Sequence, residues 1–257
     1  MINPLYSIAG VLVGMLVGLT GVGGGSLMTP LLVLVFGFHP ATAVGTDLLY
    51  ASATKAVGTT VHGWRGTVDW KIVRRLAMGS IPTTIVTLIV LGQLGEHSAK
   101  AGTTISITLG IMLILTAIAT VFRQRVLNFL TPRLGTLQGR GLAATTVLLG
   151  GVLGVLVSLT SVGAGALGMT ALLVLYPKSP IVRLVGSDIA HAVPLTLIAG
   201  IGHWLLGSVN GALLISLLLG SIPGVIVGSL ISSRINERAL ALILAAVLAI
   251  VGVKMLM

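Results

Sequence analysis

Long apolar segments alternate with short polar stretches along the whole chain and form two sets of four. The first set covers 5–36, 42–61, 73–91 and 103–122, and the second covers 141–176, 184–206, 211–231 and 237–257. Most of these segments are close to the ~20 residues that an α-helix needs to cross ~30 Å of hydrocarbon. The pattern predicts an all-α polytopic membrane protein.

The first segment of each set is too long for a single crossing and contains a run of small residues near its middle. These runs are GLTGVGGGS at Gly18–Ser26 and SLTSVGAGA at Ser158–Ala166. Consecutive glycines end helices, so each long segment is predicted to be a broken hairpin of two helices. Re-entrant and fully spanning hairpins are both open at this point.

The two sets of segments are copies of each other. At an offset of 140 or 141 residues, identical pairs include Thr20 with Thr160, Gly25 with Gly165, Asp47 with Asp188, His62 with His203, and Gly79–Pro82 with Gly220–Pro223. Such an internal repeat is typical of transporter folds. We predict one membrane domain, 1–257, in which repeat 1 (4–122) and repeat 2 (141–257) are joined by a basic linker, 123–140.

Composition and charge support a membrane location. Only 8% of the 257 residues are charged, against about 25% in a soluble domain. The net charge of +10 therefore indicates helix orientation and not a nucleic-acid partner. The basic residues that we expect on the cytoplasmic side are Arg65, Lys71, Arg74, Arg75, Arg123, Arg125, Arg133, Arg140, Lys178, Arg183, Arg234 and Arg238.

This distribution of basic residues predicts that the repeats have opposite orientations. The stretch 37–41 falls outside, whereas its counterpart 177–183 falls inside. A hairpin plus three spans gives the odd number of crossings that inversion requires, if the hairpin enters and returns on one side. The linker is predicted either to lie on the inner membrane surface as an amphipathic segment or to be a plain basic loop. No basic segment precedes the first apolar stretch, so we do not expect a cleaved signal peptide.

The two breaks are the first candidates for a substrate site. Non-helical backbone at membrane depth must be buried in protein or line a cavity, and the helix that follows directs free N–H groups there, which suits an anion. An alternative is that the glycines only allow close helix packing. The candidate binding residues are Thr20, Gly21, Gly23, Gly24, Gly25, Ser26, Thr160, Ser161, Gly163 and Gly165.

The acids Asp47 and Asp188 match in the sequences GTD and GSD. One interpretation is that they lie at the starts of their spans as N-caps or first-turn residues. The other is that each carboxylate accepts a proton and couples it to substrate movement, as intramembrane acids often do. The sequence leaves both interpretations open.

Two further polar residues are present in one repeat only. Lys55 lies well inside its span, and its counterpart is Thr196; His191 follows Asp188 by three residues, and its counterpart is Tyr50. Both are candidates for coupling or gating. His62 and His203 lie near span ends, where interfacial hydrogen bonding is expected. The chain contains no cysteine, and its polar residues show no metal-binding motif, so neither a metal nor a cofactor is predicted.

Four sequence stretches carry a resemblance to a known family: GMLVGLTGVGGGSLMTPLL, GVLGVLVSLTSVGAGALGMTALL, VGTDLLYASATK and VGSDIAHAVPLT. Over essentially its whole length, the chain resembles the TauE/SafE family of sulfite and organosulfonate exporters, within the 4-toluene sulfonate uptake permease-like superfamily. The resemblance implies a multi-pass permease of the cytoplasmic membrane that moves small sulfur oxyanions outward. It places 20–26 and 160–165 as two half-sites, with Ser161 and Ala164 departing from the glycine pattern.

These observations lead to a functional hypothesis. We expect an exporter, not an enzyme, for sulfite, an organosulfonate or thiosulfate, working by alternating access in the lipid bilayer, with the acids as candidates for proton coupling. A passive anion channel is the main alternative. An intramembrane hydrolase built on Ser161, His191 and Asp188 is a weaker one. The oligomeric state is left open.

Overall fold

The structure, a computed structural model, describes residues 4–20, 25–64, 66–95, 98–163, 165–231 and 237–257. Within these ranges the regular structure is entirely helical, which confirms the predicted all-α class. The helices are α1 Pro4–Thr20, α2 Gly25–Leu34, α3 Pro40–Trp64, α4 Trp70–Leu94, α5 Ala99–Val121, α6 Arg123–Leu134, α7 Gly139–Thr160, α8 Ala166–Leu175, α9 Ile181–Leu205, α10 Gly211–Ile231 and α11 Glu237–Leu256.

Five of the described helices, α4, α5, α7, α9 and α10, are long and apolar enough to cross a membrane. Their outward faces carry exposed aliphatic side chains such as Ile89 on α4 and Ile226 on α10. A large exposed apolar surface is unfavourable in water and is expected against lipid. The helices therefore form a multi-pass membrane protein.

Each long first segment is two helices, as predicted from its small residues. In the first repeat these helices are α1 and α2, and in the second they are α7 and α8. Both α2 and α8 have 10 residues, which corresponds to about 15 Å, or roughly half the hydrocarbon thickness.

Helices of one repeat pack mainly against helices of the other. The helix α1 packs along α10, and its counterpart α7 packs along α4; the remaining long pairs are α3 with α9 and α5 with α11. Each contact in one repeat has an equivalent contact, made by the counterpart helices, in the other repeat. The helix contacts of the two repeats are therefore reciprocal.

The reciprocity extends to single residues in the two glycine-rich contacts. The equivalent pairs are Gly10 with Leu217 and Gly150 with Leu76, Gly14 with Ser221 and Gly154 with Ser80, and Gly220 with Ser7 and Gly79 with Val147. A Cβ added at Gly14 would lie 2.6 Å from the Ser221 carbonyl oxygen, and one at Gly154 would lie 2.5 Å from that of Ser80. These glycines allow backbones to touch, which is how small residues join helices in membranes.

Reciprocal hydrogen bonds also join the starts of α4 and α10 to the other repeat. Asp69 caps α4, and its N–H donates to Ser187 Oγ at 2.8 Å. At the equivalent place, the Asn210 N–H donates to Thr46 Oγ1 at 3.2 Å, while Asn210 Oδ1 accepts from the Leu213 N–H at 3.0 Å. The residues that precede Asp47 and Asp188 therefore anchor the spans of the opposite repeat.

The basic linker is largely helical, so its interpretation as a plain loop is wrong. The helix α6 contains no buried residue and contacts α8. Arg133 stacks over the Phe129 ring at 4.2 Å, and Arg125 over the Phe122 ring at 5.3 Å. The location of α6 on the inner membrane surface stays a prediction.

Candidate functional site

The break of the second repeat is a short turn whose backbone few residues can adopt. Ser161 follows the last residue of α7 in the left-handed conformation, with φ of 58°. It is the only residue other than glycine with positive φ in the described ranges. Gly163 and Gly165 have φ of 120° and 153°, so glycine is required at both. A strained residue of this kind persists where the surrounding structure fixes it, commonly at functional sites.

The polar groups of this break have different partners. The Thr160 hydroxyl donates to the Leu156 carbonyl at 2.6 Å and accepts from the Val162 N–H at 3.1 Å, so it supports the backbone of the turn. The Ser161 hydroxyl is buried and forms no hydrogen bond with the described residues. Gly165 provides no side-chain cap for α8, which leaves the start of that helix suited to an anion.

The break of the first repeat is described only at its edges. Thr20 ends α1 and Gly25 begins α2, whereas Gly21, Gly23 and Gly24 lie outside the described residues. Ser26, in the first turn of α2, is 6% exposed. The assignment of these residues as one half-site stays a prediction.

Asp47 is fully buried on α3, seven residues after the helix begins at Pro40. The N-cap interpretation is therefore wrong for this residue. The Thr29 hydroxyl of α2 donates to Asp47 Oδ2 at 2.5 Å. The Ser161 hydroxyl also lies close to this carboxylate, without the geometry of a hydrogen bond. Asp47 thus connects α2 of its own repeat to the break of the other repeat.

Asp188 is buried on α9, seven residues after Ile181, so the N-cap interpretation is wrong here as well. Its Oδ1 atom faces the backbone of Gly168 on α8, where an added Cβ would lie 2.8 Å away. That oxygen forms no hydrogen bond within the described ranges. Each acid therefore lies against the second helix of its own hairpin, but only Asp47 has a hydroxyl donor there.

Lys55 is half-buried on α3, about two turns beyond Asp47. Its ammonium interacts electrostatically with both carboxylates. His191 also lies within the field of this ammonium. The structure therefore brings Asp47, Lys55, Asp188 and His191 into one electrostatically connected group, together with Ser161.

His191 and Tyr50 face equivalent serines on α4 and α10. His191 Nε2 lies 2.9 Å from Ser80 Oγ, and both residues are fully buried. At the equivalent place, the Tyr50 hydroxyl lies near Ser221 but forms no hydrogen bond with it. In the sequence, Ser80 and Ser221 are recognisable only as part of the repeat. Ser80 and Ser221 are 141 residues apart, and so are Tyr50 and His191. This shared offset is the sequence signal that relates the two serines to the site.

His203 lies in the last turn of α9, near the end of its span as expected, and its interfacial hydrogen bonding stays a prediction. It is fully buried, and its Nε2 lies 2.9 Å from the Ser158 carbonyl oxygen on α7. The side chain of its counterpart, His62, is outside the description. Among the described residues, no three His, Asp or Glu side chains come together in a way that could hold a metal ion.

Comparison with known proteins gives a consistent result. The family model described as "Sulfite exporter TauE/SafE" matches residues 6–255. The "Probable membrane transporter protein YjnA" of Bacillus subtilis (strain 168) is 41% identical over 81% of this chain and 82% of its own length. A second protein of that organism, the "Probable membrane transporter protein YunE", is 40% identical over 26% of this chain and 25% of its own length.

A "Probable membrane transporter protein" of Xylella fastidiosa (strain 9a5c) is 42% identical over 24% of this chain and 24% of its own length. No solved structure gives a significant match. The family and these relatives are membrane transporters and not enzymes. With nearly its whole length matched, the chain belongs to the TauE/SafE family of membrane transporters.

Proposed function

We propose that the protein exports a small sulfur-containing oxyanion, such as sulfite, an organosulfonate or thiosulfate, by alternating access between two inverted repeats. The observation that carries the proposal is the position of Asp47. It belongs to the first repeat and faces Ser161 in the break of the second. A site built from both repeats changes when one repeat moves against the other.

The substrate class is supported by the chemistry of the second break and by the family description. The buried Ser161 hydroxyl is available as a donor, and the following helix α8 begins without a side-chain cap. Hydroxyl donors and helix N-termini bind oxyanions well. The description "Sulfite exporter TauE/SafE" names a substrate with this chemistry.

Charge balance supports proton coupling. Asp47, Asp188 and Lys55 together carry two negative charges and one positive charge when all are ionised. An anion that enters beside this group is repelled by the unmatched carboxylate. A proton on one carboxylate removes that repulsion, so substrate and proton are expected to move together.

Flux into proteoliposomes tests this function. Sulfite, an organosulfonate and thiosulfate are supplied separately, with and without an imposed pH gradient. A coupled carrier gives saturable flux that responds to the gradient and is lost in Ser161→Leu, with Thr136→Leu in the linker as control. Flux that neither saturates nor responds to pH would instead establish a channel, and no flux for any of the three anions would remove the substrate class.

Inversion of the repeats has its own test because the chain contains no cysteine. Lys71 and Ala212 are counterparts at an offset of 141, and both are exposed. In intact cells, a membrane-impermeant maleimide should label Ala212→Cys and spare Lys71→Cys until the cells are opened. Equal labelling of the two variants in intact cells would show parallel repeats.

A further inference from the structure

A surface cavity at the start of α4 lies outside the proposed transport site. It has a volume of about 400 Å³, and Trp70, Lys71, Val73 and Arg74 line it. Trp70 is 63% exposed, and Lys71 and Arg74 are exposed as well. The cavity therefore combines an aromatic ring and two cations beside an aliphatic side chain.

Among the described residues, no neighbouring group competes for these two cations. Neither Lys71 nor Arg74 forms a side-chain hydrogen bond or ion pair with any described residue. The adjacent acid, Asp69, directs its Oδ1 to the N–H groups of Lys71 and Ile72 as the cap of α4. The next cation, Arg75, is directed elsewhere and donates to the Tyr176 hydroxyl at 3.3 Å.

The second repeat has no equivalent of this chemistry. The counterparts of the four lining residues are Gly211, Ala212, Leu214 and Ile215 at the start of α10. The start of α10 has an equivalent side-chain cap, Asn210 in place of Asp69, and the reciprocal hydrogen bond of that corner. The cations and the tryptophan are therefore not needed to build this corner of the fold.

We propose that the cavity at the start of α4 binds the phosphate of an anionic phospholipid, with Lys71 and Arg74 contacting the headgroup and Trp70 packing beside its acyl chains. Tryptophan is favoured at the membrane interface, and clustered cations there attract anionic lipid headgroups. The hydrophobic body of a lipid fits a cavity at the edge of a spanning helix better than a fully hydrated ion does. This site is independent of the transported substrate.

Tryptophan quenching by brominated lipids tests the proposal. The chain contains three tryptophans, Trp64, Trp70 and Trp204, so replacing two with phenylalanine leaves a single reporter. In phosphatidylcholine vesicles, brominated phosphatidylglycerol should quench Trp70 more than brominated phosphatidylcholine at the same mole fraction. The double variant Lys71→Gln, Arg74→Gln should remove this preference. Each cation removed should lower the affinity for phosphatidylglycerol relative to phosphatidylcholine by roughly fivefold.

Trp204 is the matched control because it is 64% exposed and the sequence has no Lys or Arg from 184 to 233. The two brominated lipids should quench Trp204 equally, both with native Lys71 and Arg74 and in the double variant Lys71→Gln, Arg74→Gln. Equal quenching of Trp70 by both lipids would overturn the proposal, and so would a preference that survives the double substitution. Loss of the preference in inorganic phosphate, but not in chloride of equal ionic strength, would assign the site to a free anion instead.

Discussion

Asp47 and Asp188 occupy equivalent positions in the two repeats and have different surroundings. The carboxylate of Asp47 accepts a hydrogen bond from Thr29 and faces Ser161 of the other repeat. Asp188 faces the backbone of Gly168, and its Oδ1 has no donor in the described ranges. Lys55, which is present in one repeat only, interacts electrostatically with both acids. Because Asp188 Oδ1 has no donor in the described ranges, Asp188 depends more on the charge of Lys55 than Asp47 does.

The same difference recurs one turn away. His191 is within hydrogen-bond distance of Ser80, whereas Tyr50 and Ser221 form no hydrogen bond at the equivalent place. The glycine contacts that hold the helices together are instead equivalent in both repeats. The duplication thus preserved the packing and changed the polar groups, as expected where two halves form one site for an asymmetric task.

The largest expected effect comes from removing the positive charge of Lys55, which interacts with both carboxylates. Lys55→Met leaves the two buried carboxylates without a compensating positive charge. We therefore expect transport to be lost. The free energy of unfolding should fall by about 2–3 kcal/mol. This value is at or below the low end of the cost of breaking a fully buried ion pair, because Lys55 is only half-buried. Transport assays and denaturation in detergent measure the two effects.

Double-mutant cycles compare the coupling of Lys55 to Asp188 with its coupling to Asp47. Adding Asp188→Asn to Lys55→Met should restore more stability than adding Asp47→Asn, because Asp47 keeps its hydrogen bond from Thr29 whereas Asp188 Oδ1 has no donor in the described ranges. We expect the larger coupling to lie within about 1–3 kcal/mol. Equal rescue by both asparagines would contradict the asymmetry between the acids.

The second prediction separates the hydroxyl of Ser161 from its backbone. Gly21 is the counterpart of Ser161, so glycine is the natural replacement for a residue with φ of 58°. Ser161→Gly and Ser161→Ala should both reduce flux, because both remove the donor. Ser161→Gly should be more stable than Ser161→Ala by about 1 kcal/mol, since alanine retains the left-handed strain.

The two substitutions of Ser161 can fail in informative ways. Full flux in Ser161→Gly would show that only the shape of the turn matters and would remove the hydroxyl from the binding site. Equal stability of the two variants would mean that the surrounding contacts, and not the local backbone, determine the cost of the turn. Circular dichroism of both proteins checks that the helices are intact.

A third, smaller effect is expected at the equivalent serines. Ser80→Ala leaves His191 Nε2 buried without its partner and should cost about 1–2 kcal/mol in the free energy of unfolding. Ser221→Ala removes a hydroxyl that forms no hydrogen bond with the described part of the chain, and should cost less than ~0.5 kcal/mol. Thermal unfolding of the two variants in the same detergent measures the difference, and equal costs would contradict it.

The sequence predicts most of the helical framework because hydrophobic length and glycine runs are local signals. The span 211–231 was predicted with the bounds that α10 has, and both breaks were placed from their small residues. The predicted starts of two spans were wrong, because these helices begin within polar sequence. The helices α3 and α9 begin at Pro40 and Ile181, so both acids lie within the helices and not at their caps.

The surroundings of the candidate residues were less accessible to sequence reasoning. Thr29 contacts Asp47 across 18 positions, and Ser80 contacts His191 across 111. Such pairs depend on how helices are rotated against each other, which hydrophobic periodicity does not specify when a helix is apolar on most faces. The repeat offset was the usable signal, because it relates Ser80 to Ser221 and His191 to Tyr50.

The smallest expected effect tests whether the two glycine contacts are equally strong. The Thr84 hydroxyl of α4 donates to the Gly154 carbonyl at 3.3 Å and lies 3.1 Å from Ser158 Oγ, whose hydroxyl donates to the same carbonyl at 2.6 Å. On α10 the counterpart of Thr84 is Val225, and Ser158 corresponds to Gly18 on α1. Thr84→Val should therefore cost about 0.6 kcal/mol, an average value for hydrogen bonds between membrane helices. Val225→Thr should gain less, because Gly18 has no hydroxyl where α7 has that of Ser158. A gain as large as the loss in Thr84→Val would show that the α1–α10 contact can hold a hydroxyl bridge equally well.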